Sequence, residues 1–192
     1  KSKQKSKKIF NSNKKLKILN IGRFTDQKDQ MTFLKSLNLI KNEINFEASI
    51  VGKGILKKKL QNYIDSQNLQ KIVKIYDFVE NPYPFIKQSN LFVLTSRFEG
   101  LPNVLLESLV LKKFIISSNC HTGPKEILLN GKGGLLFKVG NYKELAKKIK
   151  FFYMNKKKCN KMLNYAISKI DRFEYNKNLN KYFNLVKPFI FE

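Results

Sequence analysis

Two glutamates flank the start of a predicted helix in the middle of the chain. Apolar residues 91–94 predict a strand, and the sequence then turns at Gly100 and Pro102 before an apolar pattern of helical period begins. Proline is favoured in a first helical turn, so we expect Glu99 in the loop and Glu107 about a turn and a half into the helix. The two carboxylates could bind one ligand at two points. An ordinary strand–turn–helix with solvated glutamates is the alternative.

The start of this helix also suits an anion. Backbone N–H groups in a first turn have no intrahelical partner and lie at the positive end of the helix dipole. They can therefore bind phosphate or sugar oxygens. The residues predicted to present them are Gly100, Leu101, Pro102, Asn103 and Val104.

Two cations follow the first predicted strand, residues 16–21. Gly22 ends this strand, and Arg23 and Lys28 come next. They could clamp a diphosphate, because arginine offers a bidentate fork and lysine a point charge. Lys28 is equally well explained as a solvated lysine in a lysine-rich chain, whereas Arg23 is one of only three arginines.

A glycine-rich turn, VGKG at residues 51–54, follows the second predicted strand. It lacks the third glycine of GxGxxG and the downstream Lys-Ser/Thr of a P-loop, so it supports neither an NAD site nor an ATP site. We interpret it as a turn where two backbone segments approach closely.

Six predicted strands alternate with helices, at residues 16–21, 46–51, 72–76, 91–94, 114–117 and 134–137. This alternation predicts a Rossmann-like α/β fold, with a parallel sheet of about six strands and helices on both faces. Further helices are expected at residues 142–154, 157–170 and 175–186. Ligands of such sheets bind at the carboxyl ends of the strands. The rule gathers the candidate residues along one edge, together with Phe78 and Val79 after the third strand.

Three segments are predicted along the chain. Residues 1–15 are basic and polar and read as a linker or tail. Residues 16–171 form the Rossmann-like domain. Residues 172–192 form a C-terminal helix and tail, whose apolar end indicates that a partner surface is missing.

The formal net charge is +24, and 35 of the 38 basic residues are lysines. Phosphate attraction would be strong, but arginines for reading bases are scarce and no patch interleaves lysines with aromatics, so no specific nucleic acid is expected. Attraction to an anionic membrane surface and a plain compositional bias both remain. No apolar run approaches the roughly 20 residues that span a bilayer, and no signal peptide is recognisable. We expect a cytoplasmic protein, with peripheral contact at the inner membrane face as an open alternative.

Cysteine and histidine offer little chemistry. Cys120 and Cys159 form no CxxC pair, and His121 is the only histidine. Free thiols are therefore expected and a structural zinc site is not. His121 is better explained as a surface residue than as a catalyst, because no carboxylate or nucleophile stands at a telling spacing.

Four ordered segments resemble one known family. The two glutamates with seven residues between them look like the E-x7-E motif in the C-terminal, donor-binding domain of retaining GT-B glycosyltransferases of the large family-four type. NIGRFTDQK, IVGKG and SNCHTGPKEILLNGKGGLLF are similar to the family's segments after the first, second and fifth strands. The last has a form common among bacterial surface-polysaccharide transferases.

The resemblance implies a role for each candidate residue. Arg23 and Lys28, next to Gly22, would bind the donor diphosphate, and the backbone near Phe78 and Val79 would face the base. Glu99 would hold hydroxyls of the transferred sugar as the catalytic-site residue, and Glu107 would bind the ribose. The amides after Gly100 would support sugar and phosphate. No metal or other cofactor is implied, and the sequence contains no DxD motif.

The resemblance also implies a missing half. GT-B enzymes place the active site between two Rossmann-like domains, and the first, which contacts the acceptor, is absent from this sequence. We therefore predict the donor domain of a glycosyltransferase that uses a nucleotide-diphosphate sugar, probably UDP-linked in the sense of family precedent, to extend a lipopolysaccharide, capsule or lipid-linked glycan with retention. The alternative is a non-catalytic basic module that binds RNA or an anionic membrane.

Overall fold

The computed structural model describes residues 15–189. The predicted tail at residues 1–15 and the apolar end of the chain lie almost wholly outside this range. The strands are β1 (Leu16–Ile21), β2 (Phe46–Val51), β3 (Val73–Tyr76), β4 (Leu91–Leu94), β5 (Phe114–Ser118) and β6 (Leu135–Phe137). The α-helices are α1 (Gln30–Ile40), α2 (Lys57–Ser66), α3 (Tyr83–Gln88), α4 (Asn103–Val110), α5 (Pro124–Ile127), α6 (Tyr142–Met154), α7 (Lys156–Ile167) and α8 (Tyr175–Val186).

The six strands form one parallel sheet in the order β3-β2-β1-β4-β5-β6. The order runs outward from β1 in one direction and from β4 in the other. Connections between parallel strands are right-handed, so the helices of the two halves fall on opposite faces. The predicted Rossmann-like α/β class is confirmed, and the switch point lies between β1 and β4.

The register aligns the ends of the strands on the β3 side. Ile21 of β1 pairs with Val51 of β2, and Val51 pairs with Tyr76 of β3. The loops that follow these three strands therefore begin at the same level. On the other side of β1, Leu19 pairs with Phe92 of β4.

The core lies on both faces of the sheet. All residues of β4 and β5 are buried, which explains why these strands read as continuous apolar runs. Helix α1 packs against α2 and α6, whereas α4 packs against α5 and α7. The sheet is thus covered on both faces, as the sequence predicts.

Two helices near the C-terminal end differ from their predicted bounds. The helix expected over residues 157–170 ends at Ile167, and a separate 3-10 turn follows at Ile170–Phe173. The Ser168 hydroxyl donates to the Tyr165 carbonyl, 2.9 Å away, so it competes for an acceptor of the last turn. Helix α5 starts two residues earlier than expected, because Gly123 and Pro124 form its N-terminus.

The last helix, α8, has no buried residue among those described. Its exposed apolar residues include Tyr175, Leu179 and Tyr182. Within residues 15–189, no helix is both long and apolar enough to cross a membrane.

Candidate functional site

Hydrogen bonds join the loop after β1 to the loop after β4. The Arg97 amide donates to the Gln27 carbonyl at 2.7 Å, and the Gln27 side-chain amide donates to the Phe98 carbonyl at 3.1 Å. The Thr95 hydroxyl donates to the Lys28 carbonyl at 2.8 Å. Two loops about 70 residues apart in sequence are therefore held as one unit at the switch point.

The same loops bring Lys28 and Glu99 together. Lys28 Nζ lies 2.6 Å from Glu99 Oε1, and their side chains are only 18% and 7% exposed. The Ser96 hydroxyl also donates to this oxygen, at 2.5 Å, and its backbone carbonyl accepts from the Ser118 hydroxyl at 2.6 Å. One oxygen of the Glu99 carboxylate is thus fixed by a cation and a hydroxyl. Among residues 15–189, Oε2 has no hydrogen-bond partner and can accept from a ligand.

Close approach of two backbones explains the VGKG turn. A Cβ atom on Gly52 would collide with the Gly22 carbonyl oxygen, and one on Gly54 would lie 2.5 Å from the Phe24 carbonyl oxygen. Both contacts are far shorter than a Cβ atom tolerates, so only glycine fits. The Phe24 amide donates to the Lys53 carbonyl at 2.8 Å and joins the two loops. The interpretation as a close-approach turn is confirmed.

A cleft of about 550 Å³ runs along this edge of the sheet. It has the size of a small-molecule site. Ten of the twelve predicted site residues line it: Gly22, Arg23, Lys28, Phe78, Val79, Glu99, Leu101, Pro102, Asn103 and Val104. Residues not predicted for the site also line it, among them Lys53, Glu80 and Pro82.

Gly100 and Glu107 are the two predicted residues that do not line the cleft. Gly100 is exposed between two residues that do, and a Cβ atom there would meet open space. Glu107 is half-buried on α4. It lies three residues after Val104 and four after Asn103, so it shares their helix face one turn further on.

The helix start offers fewer amides than the sequence analysis supposes. Pro102 lines the cleft but has no N–H group, so its inclusion among the predicted donors is wrong. The Leu105 amide bonds to the Pro102 carbonyl at 2.9 Å. The amides of Asn103 and Val104 belong to the first turn, where a helix supplies no partner.

An aromatic ring and a lysine mark the end of the cleft after β3. Phe78 is 56% exposed, and Lys53 Nζ lies 4.8 Å from the centre of its ring. At the middle of the cleft, the Arg23 guanidinium makes one hydrogen bond among the described residues, to Gln27 Oε1 at 3.3 Å. The cleft therefore offers an exposed flat apolar surface and a weakly engaged cation.

The loop before α5 supports the Glu99 loop from behind. The Thr122 hydroxyl donates to the Glu99 carbonyl. Gly123 has φ +80°, and a Cβ atom there would collide with the Gly100 carbonyl oxygen and with Pro102 Cδ. Sequence reasoning missed both residues, although a glycine before Pro124 was visible as a helix-start signal.

The cysteines and the histidine add no ligand set. Cys120 and Cys159 are both free and buried, and burial raises the pKa of each thiol. His121 is exposed. In the part of the chain that the structure describes, no three His, Cys, Asp or Glu side chains gather to hold a metal ion.

The spacing of the strands sets the length of ligand that the cleft can hold. Phe78 follows β3, Arg23 follows β1 and Glu99 follows β4, so the two ends are three strand positions apart. At about 4.8 Å per position, this is roughly 14 Å. The arrangement suits an elongated ligand with a flat group at one end, an anionic centre and hydroxyls at the other.

A family comparison identifies the chain. A sequence model of the family described as Glycosyl transferases group 1 matches residues 1–169. The chain belongs to this family. The suspected resemblance is therefore confirmed, and the fold and cleft described above are those of a glycosyltransferase domain.

Two relatives illustrate the similarity. An uncharacterised glycosyltransferase of Methanocaldococcus jannaschii is 44% identical over 112 residues, which cover 58% of this chain and 28% of that protein. The GalNAc-alpha-(1->4)-GalNAc-alpha-(1->3)-diNAcBac-PP-undecaprenol alpha-1,4-N-acetyl-D-galactosaminyltransferase of Campylobacter jejuni is 31% identical over 159 residues, which cover 82% of this chain and 44% of that enzyme. The chain spans less than half the length of either relative.

Solved structures share the fold of this glycosyltransferase domain. Staphylococcus aureus TarM, in complex with fondaparinux, alpha-GlcNAc-glycerol and UDP, superposes with a TM-score of 0.81 at 22% identity, over 94% of this chain and 38% of that one. Anabaena HepE in complex with UDP gives 0.80 at 19% identity, over 92% of this chain and 49% of that one. These GT-B neighbours confirm the expected half of a GT-B fold.

Proposed function

We propose that this glycosyltransferase domain binds a nucleotide-diphosphate sugar, UDP-linked, and supplies the donor side of a retaining transfer to a lipopolysaccharide, capsule or lipid-linked glycan. The observation that carries the proposal is the cleft at the carboxyl edge of the sheet. It places a flat apolar group, cations with a helix start, and a buried carboxylate in that order. This is the order of base, diphosphate and sugar in such a donor.

Each predicted residue receives a place along the donor. The base lies against Phe78 and Val79 at the β3 end, and Arg23 binds the diphosphate at the middle. Glu107, one turn beyond the cleft on α4, reaches the ribose hydroxyls. The UDP bound by the HepE and TarM structures supports the uracil nucleotide.

The sugar end is organised by the pair of Lys28 and Glu99. Oε1 of Glu99 is occupied by Lys28 and Ser96, which leaves Oε2 to accept from sugar hydroxyls. Lys28 lies between the carboxylate and the β1 loop, so its charge serves the neighbouring phosphate as well. This dual contact explains why a lysine in a lysine-rich chain is 82% shielded here.

Transfer of the sugar leaves negative charge on the departing diphosphate. Arg23, Lys28 and the positive end of α4 are fixed in place before that charge develops, which is the arrangement that stabilises it best. We propose that these groups replace a metal ion. The acceptor would be held by a further domain, since relatives of this family are more than twice as long as this chain.

The undecaprenol-linked substrate in the name of the Campylobacter jejuni relative supports a lipid-linked acceptor. Such an acceptor would hold the protein at the cytoplasmic face of the membrane. The net charge of +24 favours peripheral contact with anionic lipids there.

Isothermal titration calorimetry with UDP and UDP-sugars tests the proposal. We expect wild-type binding that weakens at least tenfold in Arg23→Ala and Glu107→Ala, because each loses a charge-assisted hydrogen bond. The matched controls are Lys74→Ala and Glu47→Ala, which remove the same charges at exposed or half-exposed sites outside the cleft. Equal UDP affinity in all five proteins would contradict the proposal and favour the basic-module alternative.

A further inference from the structure

Arg172 ties the C-terminal segment to the end of α5. It lies in the 3-10 turn between α7 and α8. Its Nη2 donates to the carbonyls of Glu126 and Ile127 at 2.9 and 2.8 Å, and its Nη1 donates to the Lys169 carbonyl at 3.1 Å. One side chain therefore joins residues more than forty positions apart.

The end of α5 needs such a support. The helix is a single turn, and the carbonyls at a helix C-terminus have no intrahelical partner. The chain then passes through Leu129 and Asn130 with φ +54° and +55°. Left-handed backbone is unfavourable for a leucine, and the surrounding contacts must hold it in place. Arg172 binds the two carbonyls just before this turn.

The other end of α5 touches the sugar-binding loop. Gly123, at the N-terminus of α5, packs against the Gly100 carbonyl and Pro102, and Thr122 donates to the Glu99 carbonyl. The Ile127 amide bonds to the Gly123 carbonyl at 2.9 Å. Because α5 is only about 6 Å long, a shift at its C-terminal end is carried directly to Gly123.

We propose that Arg172 is a positioning residue for the sugar end of the donor cleft. By holding α5, it keeps Thr122 and Gly123 against the loop that carries Glu99. The effect falls on the sugar and not on the nucleotide, whose cations and aromatic ring lie on other loops. This inference rests on the proposed function of Glu99.

The orientation of the guanidinium supports a positioning role. Its Nε is buried and, among residues 15–189, has no hydrogen-bond partner. A buried unpaired donor is unfavourable. The side chain is thus arranged to place its two terminal nitrogens on three carbonyls, even though its third nitrogen loses contact with water.

Three variants test the proposal. Arg172→Gln removes the fork, Arg172→Lys keeps the charge without the planar donors, and Lys169→Gln is the control that removes one exposed charge on the same segment. Hydrogen exchange is measured over residues 97–106 and 123–131. Affinity is measured by calorimetry for UDP, UDP-glucose and UDP-N-acetylglucosamine.

We expect Arg172→Gln to speed exchange in both segments and to weaken the better-bound UDP-sugar about tenfold more than UDP, the size of one hydrogen bond to the sugar. Arg172→Lys should show smaller changes, and Lys169→Gln none. If Arg172→Gln does not fold, Arg172→Lys decides by the same measurements.

Faster exchange confined to residues 123–131, or equal weakening of UDP and the UDP-sugar, would overturn the positioning role. If wild type binds no nucleotide, the proposed function fails. The exchange over residues 97–106 then still decides whether Arg172 holds the Glu99 loop.

Discussion

Replacing Gly123 by alanine should damage both the fold and the sugar end of the cleft. The structure offers a matched control in Gly140. Both glycines have left-handed backbone, with φ +80° and +73°. A Cβ atom on Gly123 would collide with the Gly100 carbonyl oxygen and Pro102 Cδ, whereas one on Gly140 would meet no atom within 4 Å. The pair therefore separates backbone strain from the collision with the Glu99 loop.

The expected size follows from these two contributions. Left-handed backbone costs an L-residue about 1–2 kcal/mol, which both variants share. Overpacking adds about 1–3 kcal/mol at Gly123 alone. Loss of unfolded-state entropy on changing glycine to alanine is common to both and cancels in the comparison. The free energy of unfolding should fall by about 1–2 kcal/mol in Gly140→Ala and about 2–5 kcal/mol in Gly123→Ala.

Thermal unfolding followed by circular dichroism measures the difference. At roughly 2–4 °C per kcal/mol for a chain of this length, Gly123→Ala should unfold several degrees below Gly140→Ala. Calorimetry with a UDP-sugar below both transitions should show weaker binding in Gly123→Ala only. Equal melting temperatures, or equal affinities, would refute the claim that Gly123 supports the Glu99 loop by close packing.

Two further predictions concern buried polar groups. Ser96→Ala removes the hydroxyl that fixes Glu99 Oε1, so UDP-sugar affinity should fall several-fold, the size of about one hydrogen bond; calorimetry measures it against Ser117→Ala, a buried serine that bonds to Ser118 instead, and equal affinities would contradict the role. Burial raises the pKa of both cysteine thiols, so less thiolate is present at a given pH and alkylation of the native protein at pH 8 should be far slower than in denaturant. Mass spectrometry after iodoacetamide treatment checks this, and rapid native labelling of Cys120 would count against its buried place.

Local pattern accounts for most of the fold. The apolar runs of β4 and β5 predict strands because both faces of a central parallel strand are buried. Helix α6 and α8 match their expected bounds, since the 3.6-residue period persists to each end. The early end of α7 was not predictable, because it depends on which acceptor the Ser168 hydroxyl selects.

The candidate site was predictable only as a set of loops. Parallel topology brings the strand ends together, so the residues after β1, β3 and β4 could be grouped from sequence. Their pairing could not. Lys28 and Glu99 are 71 residues apart, and nothing local shows that they share a contact.

The support behind the site was also hidden from sequence. Arg172 reads as a solvated residue of a basic tail, and Gly123 as an ordinary helix-start glycine. Their roles appear only when the C-terminal segment folds back onto α5 and places three carbonyls around one guanidinium. Long-range packing, and not residue type, makes them part of the site.

A crystal structure of this chain grown with UDP tests the central claim most directly. The account predicts uracil beside Phe78, the diphosphate against Arg23 and the start of α4, and the ribose hydroxyls at Glu107. UDP bound outside this cleft, or a cleft that stays empty at millimolar UDP, would contradict it.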